Sequence, residues 1–299
     1  MKTALLTHND LDGIGCAVVF SVVLPGAGPI ELVENGKIDG RVRALLEERM
    51  AEASDHEVLV TDHAVDATTA DLVENFIAAG GGFTLLDHHR SAQALARWSW
   101  ATIDESRSAT GLLFDHLGRP PALADFAAVV EDHDLWKHSD PRSRPLAALV
   151  GLVRHEKFLA RFSSDPRVEF TEGELMLLEN EDSRREEFLA KKVEQARRVE
   201  IDGIHWAICY AEQYQSDLAE RLMNELNVAA TAIVNAGKRT VSMRGRDVDV
   251  SPIAVRFGGG GHARAAAFTF RGRSLEATLE AFEAALDAGL RADYKLDGV

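Results

Sequence analysis

The sequence of 299 residues contains almost no cysteine. Cys16 and Cys209 alone build no disulfide framework and show no C-x-x-C metal spacing, which points to a reducing, cytoplasmic setting. A long apolar run is also missing. The longest, residues 14–24, is broken by Ser21 and stopped by Pro25, well short of the roughly 20 residues a bilayer span needs, so no membrane partner is expected. Where a secretory signal would have its apolar stretch the chain has His8, Asn9, Asp10 and Asp12, which argues against export by that route. Positive charge is scarce: 33 Lys and Arg face 48 Asp and Glu, a net charge of -15. Duplex binding depends on neutralising phosphates with Lys and Arg, so a chain this acidic repels long nucleic acid.

The remaining composition is that of a globular protein, 46% hydrophobic and 27% charged, and its length suits two domains. The first half alternates short β-branched runs at 3–7, 30–33, 58–61 and 83–86 with helical stretches at 14–24, 41–51 and 68–79. This alternation predicts βαβ units on a mostly parallel, Rossmann-like sheet. Two covering helices follow at 109–117 and 123–130. A charge-dense, proline-free stretch at 171–200 reads as one linking helix. Three parts result: a first domain over 1–170, the helical linker over 171–200, and a smaller mixed α/β domain over 201–299. In that last domain strands are expected at 204–210, 230–235 and 240–244, and helices at 217–224 and 275–288. Residues 238–273 carry eight basic and two acidic side chains, a local +6 that leaves -21 for the rest of the chain. Within this island Gly258, Gly259, Gly260 and Gly261 let backbone N–H groups approach a phosphate without Cβ interference, and His262 stands where a helix could begin.

Ligands of open parallel sheets sit beyond the carboxyl ends of the strands. Three strand ends here carry Asp and His: His8-Asn9-Asp10-Leu11-Asp12-Gly13, Asp62-His63 and Asp87-His88-His89. Asp132 and Asp134 add two acids after the helix ending near residue 130. Each is weak evidence alone, since Asp after a strand is often a helix cap. Together they crowd enough carboxylates to cost several kcal/mol of repulsion unless cations neutralise them. Hard oxygen ligands joined by imidazole suit two divalent ions about 3.5–4 Å apart. Trp136 reads either as a stacking surface for a base or as core packing.

The motif Asp87-His88-His89 after an apolar strand, with His8 to Gly13 before it and Gly258 to His262 near the end, resembles the DHH phosphoesterase superfamily with its DHHA1 second domain. Within it the chain is most similar to the short oligoribonucleases, the nanoRNases of the NrnB type. The resemblance implies a phosphodiesterase with two Mn2+ ions, for which Mg2+ or Co2+ can substitute, and an active site between the domains. By that likeness His8 and Asp10 hold one metal, Asp12 and His88 the other, Asp62 bridges them, and Asp132, preferred over Asp134 because it comes first, completes the second. His89 then faces the scissile phosphate and Asp87 belongs with it to the catalytic set, while Arg244, His262 and Arg264 bind substrate phosphates along with Gly259, Gly260 and Gly261. His8 lies two residues before Asp10, where other branches place it four before.

The expected reaction is hydrolysis of short RNA to nucleoside 5′-monophosphates by a hydroxide activated between two metals. Alternatives are a phosphodiesterase for cyclic or linear dinucleotide signals (pGpG, pApA, cyclic-AMP-like molecules) and a sensor that holds metal and nucleotide without turnover. A pyrophosphatase is disfavoured because, by resemblance, its second domain lacks the glycine-His motif. A homodimer is a further expectation.

Overall fold

The computed structural model describes residues 2–51, 56–201 and 203–270, and the chain divides between residues 179 and 180 into two compact units. In the first unit β1 (Lys2–His8), α1 (Leu11–Val23), β2 (Ile30–Val33), α2 (Ile38–Ala51), β3 (His56–Thr61), α3 (Ala67–Ala78), β4 (Gly82–Asp87) and β5 (Ala101–Ile103) form a five-stranded sheet with its crossovers. The order is β2-β1-β3-β4-β5 and every pairing is parallel. Both faces are covered, which is why β1, β3 and β4 are apolar nearly throughout. Leu5, Leu59 and Leu86 face one core with Ile14 and Phe20 of α1. Leu6, Val58, Val60 and Leu85 face the other, with Val42 and Leu46 of α2 and Val73 of α3. The chain leaves β1 toward one edge of the sheet and returns at β3 on its other side. The carboxyl ends of β1 and β3 therefore diverge into a crevice, with the end of β4 next in line.

Four helices complete this unit: α4 (Ala109–His116), α5 (Ala124–Asp134), α6 (Ser143–Leu152) and α7 (His155–Ser164). They pack on α1 through Phe126, Leu146, Leu149, Phe158 and Phe162. The helix expected over 171–200 is α8 (Glu172–Gln195), and residues beyond it form β6 (Arg197–Ile201) instead. Val199 and Ile201 alternate with Arg198 and Glu200, and this period of two pairs β6 antiparallel to β7 (Ile204–Tyr210).

The second sheet adds α9 (Gln215–Glu225), β8 (Ala230–Asn235), β9 (Thr240–Gly245), α10 (Ser251–Arg256), β10 (Gly260–His262) and β11 (Ala265–Thr269). Its order is β10-β11-β9-β8-β7-β6; only β7 and β8 run parallel. His262 thus ends a strand and begins no helix. The hairpin is tight enough that a Cβ on Gly261, at φ +141°, would lie 2.5 Å from the Ala265 carbonyl oxygen. The helix expected over 275–288, with Arg271 and Arg273, lies outside the described residues. Among the described residues no helix is long and apolar enough to cross a membrane.

Candidate metal centre

The turn after β1 is set by two residues. Asp10 caps α1, its carboxylate accepting from the Gly13 N–H at 3.0 Å. A Cβ on Gly13 would stand 2.1 Å from the His8 carbonyl oxygen, so only glycine lets α1 fold back so closely on the end of β1. His8 Nδ1 then lies 2.9 Å from Asp10 Oδ2 and 3.6 Å from Asp62 Oδ2. Asp62, just past β3, holds a left-handed backbone at φ +57° and is buried. A side chain kept in that region marks a site where the surroundings override local preference.

From the end of β4, His88 Nε2 reaches Asp62 Oδ1 at 3.4 Å and Asp12 Oδ2 at 3.8 Å, while its Nδ1 is 3.5 Å from Asp134 Oδ2. The donors fall into three groups, His8 with Asp10 and Asp62, Asp12 with His88 and Asp134, and Asp62 with Asp87, His88 and His89, each with ligand atoms within 4.8 Å of one another; the third shares Asp62 with the first and His88 with the second. Asp62, close to His8 on one side and His88 on the other, joins them. Asp62 Oδ2, His88 Nε2 and Asp134 Oδ2 are buried without a hydrogen-bond partner. Carboxylate oxygens with two imidazoles, three of these ligand atoms buried and unsatisfied, are a donor set that fits divalent cations.

The electrostatics agree. Burial and the charges of Asp62 and Asp134 push Asp12 well above the ordinary carboxylate range. Burial lifts Asp134 to about 6 against the opposing pull of His88. The Asp10 carboxylate bonded to it and the Asp62 carboxylate 3.6 Å away raise His8 to about 10. Burial works against charge on His88, yet the carboxylate of Asp62 at 3.4 Å and the charges of Asp134 and Asp12 bring it to about 9. At Asp10 burial is outweighed by the bonds from His8 and Gly13, which hold it at about 2. Without cations the two histidines take on the role of counter-charge.

Neighbouring backbone and side-chain groups hold the cluster in place. Asp12 accepts from the Ala109 and Thr110 N–H groups at 2.7 and 2.8 Å, at the α4 N-terminus that Ser108 caps. Two backbone donors on one carboxylate fix its direction. Glu131 anchors the same turn through Arg107 at 2.6 Å and the Ser108 N–H at 3.3 Å. His63 is buried, bonds the Val33 carbonyl through Nε2 at 3.0 Å, and sets its ring edge-on to His8 at 5.1 Å. His89 is half-exposed, and its Nδ1 is tied to Asp87 Oδ1 at 2.7 Å.

Asp132 does not join the cluster, and Asp134 does. Residues two apart on a helix point roughly 200° apart. Asp132 turns instead to the loop after α5, accepting from the Ser139 N–H at 2.9 Å and from the Ser139 hydroxyl. Asp134 follows Phe126 and Val130 at steps of four, a spacing that aims it inward.

In the second sheet the register sets His262 opposite Ala265 and Ala265 opposite Arg244. Directly opposed residues share a face, so His262 and Arg244 lie on one face two strands apart. Arg244 is half-buried, donates to Ser216 Oγ at 3.2 Å, and is lowered by burial. Arg264 is exposed in the β10–β11 turn. Gly259 and Gly261 are required by the close approach of β11, whereas Gly260 has open space around it.

The DHHA1 domain family model matches residues 212–288. Oligoribonuclease NrnB of Bacillus subtilis (strain 168) is 30% identical over 283 residues, covering 87% of this chain and 71% of that protein. Two solved structures share the fold. The pGpG-specific phosphodiesterase PggH from Vibrio cholerae has a TM-score of 0.58 at 13% identity over 96% of this chain and 99% of that one. RecJ of Thermus thermophilus in complex with Mn2+ has a TM-score of 0.61 at 17% identity over 97% of this chain and 52% of that one.

Proposed function

The chain belongs to the DHH/DHHA1 phosphoesterase family, and from that premise we propose that it is a divalent-metal-dependent phosphodiesterase cleaving short oligoribonucleotides to nucleoside 5′-monophosphates. The observation that carries this reading is the pair of carboxylate and imidazole groups that meet at Asp62. His8, Asp10 and Asp62 would hold one ion, and Asp12, Asp62, His88 and Asp134 the second. Mn2+ is the ion of choice, with Mg2+ or Co2+ as substitutes. Bound there, such ions would supply Lewis acidity and lower the pKa of the attacking water.

The chain's own groups do the rest. Asp87 fixes His89 through Nδ1 and raises its pKa, which favours the doubly protonated ring whose Nε2–H can donate to the phosphoryl group or the departing 3′ oxygen. Arg244 and His262, with Gly259, Gly260, Gly261 and Arg264 beside them, take the substrate's other phosphate. A single short basic stretch in a chain of net charge -15 offers no track for a long backbone. Specificity for roughly two to five nucleotides follows.

The test is a product time course with Mn2+ on pApA, a five-mer, a 24-mer and 3′,5′-cyclic AMP at two salt concentrations. kcat/KM should fall as length grows beyond about ten nucleotides, with a salt slope equivalent to about two or three phosphate contacts. Equal or faster cleavage of the 24-mer would replace this reading with a processive nuclease. Cleavage confined to a dinucleotide or cyclic AMP would make it a signalling phosphodiesterase. No turnover of any of the four with Mn2+ would leave a sensor.

A further inference from the structure

The loop that follows Asp134 contains an arrangement the metal centre does not explain. α5 ends in a Schellman motif: the Trp136 N–H bonds the His133 carbonyl at 3.0 Å and the Lys137 N–H bonds the Asp132 carbonyl at 2.9 Å. The residue between these two bonds must adopt a left-handed backbone, and glycine is the usual occupant. Here it is Trp136, at φ +55°. A bulky side chain is strained in that conformation. Core packing does not compensate, because Trp136 is 53% exposed, whereas Trp206 and Trp100 are buried and Trp98 stacks on Trp100.

Two imidazoles back the indole. His138 stands edge-on to it at 4.4 Å, and His133 lies 6.2 Å from it and 5.7 Å from His138. His133 Nδ1 and both ring nitrogens of His138 are buried without a hydrogen-bond partner. His133 is near enough to Asp10 to feel its charge. Trp136 follows Asp134 by two residues, so their Cα atoms are at most about 7 Å apart. A planar group on the indole and a phosphodiester at the cluster would then be neighbours in one ligand.

We propose that Trp136, backed by His138 and His133, is a stacking platform for the nucleobase next to the scissile phosphate. The proposal rests on the phosphodiesterase reading and adds to it the requirement for an unpaired base. Stacking on an aromatic side chain is tolerant of base identity, so the platform selects single-stranded nucleotides without reading sequence.

The test uses the full chain with Mn2+ and the variants Trp136→Gly and Trp136→Phe. Loss of one stacked base should lower kcat/KM for pApA roughly 5- to 150-fold, mainly through KM, and Phe should restore most of it. Trp136→Gly should at the same time unfold at a higher temperature than wild type, because glycine relieves the left-handed strain; a structural tryptophan would give the opposite shift. Independently of turnover, 5′-AMP should shield wild-type tryptophan fluorescence from acrylamide, and ribose 5-phosphate should not. Unchanged kcat/KM in Trp136→Gly, or equal shielding by the two ligands, would overturn the platform. Failure of wild type to cleave pApA while the AMP-specific shielding persists would instead count against the phosphodiesterase reading and leave the platform standing.

Discussion

Replacing Gly13 by alanine tests the turn that places His8 and Asp10. The added Cβ would meet the His8 carbonyl oxygen at 2.1 Å, its carbon at 2.4 Å and its Cα at 2.7 Å, all backbone atoms that no side-chain rotation can move. The Gly13 carbonyl also accepts from Thr7 Oγ1 at 3.0 Å, and its N–H is capped by Asp10, so a shift of α1 loosens both bonds. Overpacking of this kind costs about 1–3 kcal/mol, and the upper end applies where backbone meets backbone. At about 2–4 °C per kcal/mol, the melting temperature should fall by about 6–12 °C. Gly40→Ala in α2 is the control: nothing lies within 4 Å of its Cβ, and alanine in a helix gains about 0.5–1 kcal/mol. Calorimetry with and without Mn2+ gives both readouts. Gly13→Ala should also lose most of the Mn2+-induced rise in melting temperature, because His8 and Asp10 move with the turn. A melting temperature within about 2 °C of wild type, with that rise intact, would refute the close-approach reasoning.

Asp134→Ala should reduce bound metal, whereas Asp132→Ala should retain it and cost about 1–2 kcal/mol of stability through the lost Ser139 bonds; metal analysis and thermal unfolding separate the two. In the metal-free protein His8 at about 10 and His88 at about 9 lie above their unfolded value of 6.5, so both are protonated at neutral pH and their stabilisation is lost as pH rises through 9–10. Metal binding near pH 7.5 should therefore release about two protons, measurable by titration calorimetry in buffers of different ionisation enthalpy; no release would contradict the ligand assignment. His262→Ala or Arg244→Ala should lower kcat/KM about ten- to a hundredfold with metal content unchanged, and loss of metal instead would show that the substrate and metal roles are misassigned.

The parallel sheet and its strand-end acids are legible because buried strands are apolar over their whole length, and the residues that break each run, His8, Asp62 and Asp87, are those the chemistry needs. Order along the chain favours Asp132 over Asp134, but direction around the helix decides between them, and it selects Asp134. α6 and α7 escape a reading of the sequence because each is only ten residues long and Pro145 and Gly151 interrupt the first, although Leu146 with Leu149 and Phe158 with Phe162 keep helical spacing. β6 is hidden in a charged tail whose alternation matters only once Trp206 is beside it. The Ala109 and Thr110 N–H groups that orient Asp12 cannot be found at all, since a backbone donor leaves no trace in residue identity.

The most direct test of a cluster joined at Asp62 is hydrolysis of pApA measured against Mn2+ bound per chain. Activity should stay near zero through the first equivalent, rise with the second and be absent in Asp62→Asn at any loading. Full activity at one equivalent, or turnover that survives a chelator, would contradict it.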